Sequence, residues 1–72
     1  MALQYIWDKV EMLDGKVVRK LELPTHAQLT DHNRVLIIPN VGLYDEGTYR
    51  CTVRRVNGQS TFKTVNLLLQ GL

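Results

Sequence analysis

Seventy-two residues make one small domain, and nine Lys/Arg against seven Asp/Glu leave a net charge of only +2, with the basic residues scattered. That excludes the dense basic face of a nucleic-acid reader, and no apolar run approaches the ~18 residues of a membrane-spanning helix. One cysteine, Cys51, and two histidines, His26 and His32, exclude an intrachain disulfide framework and a four-ligand structural zinc site. Small scaffolds need such a staple or a partner, so this one is short of stabilisation.

In chain order, Met1-Ala2 reads as an expression leader, and the N-terminus lacks the basic-then-apolar pattern of a signal peptide. Leu3 to Trp7 is rich in strand formers. Val10–Leu13 and Lys16–Arg19 flank Asp14-Gly15, a two-residue hairpin signal. Leu21 to Leu23 alternates until Pro24, which lacks the ladder donor. Residues 25–33 are polar and read as a loop with a short edge strand. Arg34 to Ile38 is a β-branched strand ended by Pro39-Asn40, and Val41 to Glu46 is a corner. Thr48 to Val56 alternates again, with Tyr49, Cys51 and Val53 on one face and Arg50, Thr52 and Arg54 on the other. Asn57-Gly58 predicts a type I′ hairpin into a return strand over 60–70. The expected fold class is all-β, with antiparallel sheets packed face to face.

One constellation says more: Leu36-x-Ile38-x-x-Val41-x-x-x-Asp45-x-Gly47-x-Tyr49-x-Cys51. Leu36 and Ile38 share a strand face, Val41 closes the core as the chain leaves the strand, and Gly47 permits close approach of the corner backbone. The segment resembles the E strand, E–F corner and F strand of an immunoglobulin superfamily domain, closest to the I-set. In that family a tyrosine two residues before the cysteine bonds back to upstream backbone. Trp7 then takes the place of the core tryptophan of strand C, with Tyr5 on the same side.

The resemblance implies an immunoglobulin-like β-sandwich truncated at its N-terminus, since a complete domain has about 100 residues. Residues 1–72 form a single partial domain running from strand C to strand G. Strands A and B, and the cysteine that pairs with Cys51, are expected upstream of Leu3. The family's arginine partner for the corner aspartate is missing; His26 and Ala27 stand near its place, and Arg34 or Arg19 is the expected substitute. Without strands A and B, Trp7, Leu36, Ile38, Tyr49 and Leu67 are expected to be partly wet. A homo-oligomer, or completion by another chain or segment, would cover them.

The resemblance implies a non-enzymatic protein-interaction module of a cell-surface adhesion molecule or receptor, disulfide-bonded and extracellular. Two other readings stand beside it: a structural I-set spacer of an intracellular muscle or cytoskeletal protein, and a self-associating β-rich fragment. The expected partner-binding face is Arg50, Thr52 and Arg54 with Lys63, Asn66 and Leu68, extended by outward Ile6. Catalysis has little support. Asp45 and Glu46 are adjacent and point apart, Ser60 is the only serine and sits in no elbow motif, and His26 and His32 read as solvated loop residues. No cofactor, metal, nucleic acid or membrane insertion is expected. Cys51 reads as a structural half-cystine with no base on its face to activate it.

Overall fold

The computed structural model describes residues 3–70, so Met1 and Ala2 lie outside the described residues. The two runs predicted near the N-terminus join into one strand, β1 (Gln4–Leu13). Asp14 and Gly15 both take positive φ, 53° and 77°, the type I′ geometry whose twist matches the flanking strands. The turn leads into β2 (Lys16–Leu21), with a register shift opposite Glu11/Met12.

The polar stretch supplies β3 (Gln28–Thr30), which pairs with β4 (Val35–Ile37). Their hairpin also turns through left-handed residues, three in a row, Asp31 at φ 54°, His32 at 55° and Asn33 at 67°, and Arg34 N–H donates to the Asp31 carbonyl at 3.0 Å. A 3-10 turn at Leu43–Asp45 forms the corner, and β5 (Gly47–Arg54) and β6 (Ser60–Leu67) follow.

The hairpin joining β5 and β6 departs from the expected type I′ turn. Only Gly58 is left-handed there, at φ 90°. Arg55 N–H donates to Gln59 C=O and Gly58 N–H to Arg55 C=O, so the loop has three residues, with glycine at its left-handed exit. The Asn57 side chain accepts from Gln59 N–H at 3.0 Å. That local bond holds asparagine at the position before the glycine without a left-handed backbone.

The result is all-β: a four-stranded sheet in the order β2-β1-β5-β6 and a two-stranded sheet β3-β4, every pair antiparallel. The register sets Trp7 opposite Cys51, Tyr5 opposite Val53 and Tyr49 opposite Val65. Directly opposed residues share a face, so these side chains form the inner face of the larger sheet. The smaller sheet reaches that face through Trp7, whose indole N–H donates to Asn33 C=O at 2.9 Å, and through Arg34, which lies over the Tyr5 ring.

The interior is thin. Among the described residues only Val10 and Tyr49 are buried apolar side chains. Trp7, Leu36, Ile38 and Leu67 are half-buried, as expected, and line an apolar groove of about 200 Å³ with Tyr49 and Val65. Tyr49 itself is buried, against expectation, because Lys9 crosses its ring at 5.6 Å from the centroid and donates onward to Tyr44 C=O. The lysine covers one side of the ring with its ammonium within cation–π reach. Val41 is exposed rather than closing the core.

Candidate interaction surface

The corner residues of the motif converge on Asp45. The Tyr49 hydroxyl donates to the Asp45 carbonyl at 2.5 Å. The Asp45 carboxylate accepts from Gly42 N–H at 2.8 Å and meets His26 Nε2 at 3.1 Å, with its side chain only 6% exposed. Neither Arg34 nor Arg19 substitutes for the missing arginine: Arg34 covers Tyr5 and Arg19 pairs with Glu11. His26, expected to be a solvated loop residue, fills the role, because the turn after Pro24 (Ala27 N–H to Pro24 C=O) carries it to the corner. Gly47 follows at φ +143°, a backbone conformation that favours glycine, but the close neighbour a Cβ there would meet is the flexible end of the Lys9 side chain, at 2.7 Å, rather than corner backbone.

The Gly42 amide, then the charge and hydrogen bond of His26, hold the Asp45 carboxyl below its usual 3.8 against the opposing effect of burial. A group with a depressed folded pKa stabilises above its unfolded pKa, and that contribution is lost as pH falls through the folded value. Urea midpoints should therefore drop below about pH 4. Asp45→Asn should have a lower midpoint at neutral pH and a flatter acid limb. An acid limb unchanged by Asp45→Asn would place the titration elsewhere.

The opposite, outer face of the larger sheet carries the most organised polar group. Asp8 on β1 stands directly across from Arg50 on β5. Arg50 Nε donates to Oδ1 at 3.1 Å and Nη2 to Oδ2 at 2.8 Å, a two-pronged pairing with planar geometry. The Asp8 side chain is 7% exposed and that of Arg50 22%. The hydrogen bond to Asp8 pushes the Arg50 pKa up. The same guanidinium lies 5.6 Å from the Phe62 ring centroid on β6, and that ring is 56% exposed. Thr52 sits between Ile6 and Phe62 in register, and exposed Arg54 lies between Gln4 and Ser60.

Of the predicted face, Arg50, Thr52, Arg54 and Asn66 do share one side; Asn66 there accepts from the Thr48 hydroxyl at 2.8 Å. Lys63 does not. It stands opposite Cys51 on the inner face, because strand period two separates it from Asn66. Leu68 lies beyond the end of β6, exposed. Sequence reasoning missed Asp8 and Phe62. Phe62 was recoverable from its even spacing to Asn66, whereas Asp8 required the β1–β5 register.

Lys63 shares the face of Cys51 but does not lower its pKa. The thiol is pushed up, by burial, and Cys51 is a free cysteine. Comparison with known proteins found no matching family model, no similar curated protein and no similar solved structure.

Proposed function

We propose that the chain is an immunoglobulin-like, non-enzymatic protein-interaction module of a cell-surface adhesion molecule or receptor, and that it binds through the outer face of the four-stranded sheet. The reading is supported by the sheet orders β2-β1-β5-β6 and β3-β4, which agree with the orders C′-C-F-G and D-E expected of such a sandwich. The Tyr49–Asp45 bond, like the tyrosine corner of that family, runs from the hydroxyl to upstream backbone and supports the same reading.

The observation that carries the binding reading is an exposed aromatic ring beside an arginine already locked by a buried carboxylate. Aromatic and arginine side chains dominate interface hot spots, and a side chain fixed before binding loses less freedom when the partner arrives. Ile6 and Thr52 continue the patch, and Arg54 adds an unshielded positive charge at its rim.

The test is a screen of the chain, displayed as a multimer, against cells expressing individual receptor ectodomains. Phe62→Ala should weaken any specific binding by about thirtyfold, with an unchanged melting curve. Arg54→Glu should slow association. Specific binding indifferent to both substitutions would overturn this face as the interface.

A further inference from the structure

A sheet edge leaves a row of backbone N–H and C=O groups without a neighbouring strand, and proteins blunt such edges with short strands, cationic side chains or bulges. Among the described residues, three of the four sheet edges are blunted. β3 and β4 have three residues each. β2 carries Lys16, Arg19 and Lys20 and the register shift. β6 has only one of these devices, the cation Lys63. It runs for eight residues with no proline and one charge, Lys63, and pairs with β5 without a break. Its residues Thr61, Phe62, Thr64 and Val65 favour strands, and Phe62 and Val65 are 56% and 59% exposed.

We infer that β6 pairs with β6 of a second copy of this chain, antiparallel about a two-fold axis through Thr64, joining two four-stranded sheets into one. The register follows from charge and pleat. A two-fold axis normal to the sheet keeps each face on its own side, so residues of equal parity must oppose each other. An axis through Lys63 would set that ammonium against its own copy, which is destabilising. An axis through Phe62 would pair only the first part of the strand.

The axis through Thr64 pairs Thr61 to Leu67, seven of the eight residues of β6. Lys63 falls opposite Val65, Phe62 opposite Asn66 and Thr61 opposite Leu67, and no like charges oppose one another. This dimer goes beyond the proposed outer-face binding and does not depend on it. It would set both Phe62 patches on the same side of one continuous sheet.

Sedimentation of the 72-residue chain over a concentration series should show a monomer–dimer equilibrium, and Thr64→Lys should weaken it by about tenfold, by placing two ammonium groups on the axis. Independently, Thr64→Cys in a Cys51→Ala background should form a disulfide-linked dimer on mild oxidation. Val18→Cys in the same background, on the guarded β2 edge, should remain monomeric. A wild-type chain that sediments as a monomer at ~100 μM, or a Thr64→Cys variant that crosslinks no faster than Val18→Cys, overturns the inference.

Discussion

Replacing Arg50 with alanine should destabilise the fold by about 3 kcal/mol, the low end for breaking a buried ion pair from one side. Asp8, 5% exposed in the intact fold, would lose the two hydrogen bonds that Arg50 supplies. The low end is appropriate because the Arg50 side chain retains 22% exposure. Removing both partners should cost less than removing Arg50 alone, since the double variant buries no orphan charge. Urea titrations of wild type, Arg50→Ala, Asp8→Ala and the double variant form the cycle that measures this. A loss below about 1 kcal/mol for Arg50→Ala would mean that the pair behaves as a solvated surface bridge.

Tyr49→Ala should cost about 3–5 kcal/mol, the range for emptying a buried aromatic site. Small domains have little more than that in total, so the variant should be largely unfolded in buffer. Tyr49 is 2% exposed and is one of only two buried apolar residues among those described. Its hydroxyl ties β5 to the corner, so Tyr49→Phe separates the bond from the ring. That change should cost about 1–2 kcal/mol, because it leaves the Asp45 carbonyl without this donor. Melting curves for the two variants check both numbers. A Phe variant as damaging as the Ala variant would put the stabilisation in the hydroxyl rather than the ring.

The two experiments probe features of different legibility. The corner was visible as spacing: Asp45, Gly47, Tyr49 and Cys51 lie within seven residues, and short-range geometry carries their roles. The Asp8–Arg50 pair spans 42 positions, and nothing near either residue announces the other. His26 falls between these cases. It was noticed where an arginine was expected, yet only the folded turn after Pro24 shows that it reaches Asp45.

Turn chemistry was similarly divided. Asp14-Gly15 forms the hairpin its sequence predicts, whereas Asn57-Gly58 uses a longer loop, and the unpredicted run Asp31-His32-Asn33 adopts left-handed geometry instead. A dipeptide preference is worth little against the pairing of two whole strands, so flanking register decided all three. The same register moved Lys63 from the outer face to the side of Cys51.

By itself, then, the sequence determined the all-β class, the strand alternation and the corner, because each depends on residues a few positions apart. Tertiary structure alone decided which side chains are buried, which strand edges remain open and which charges meet. Those depend on pairings between distant segments, where sheet-wide hydrogen bonding and packing outweigh any local preference.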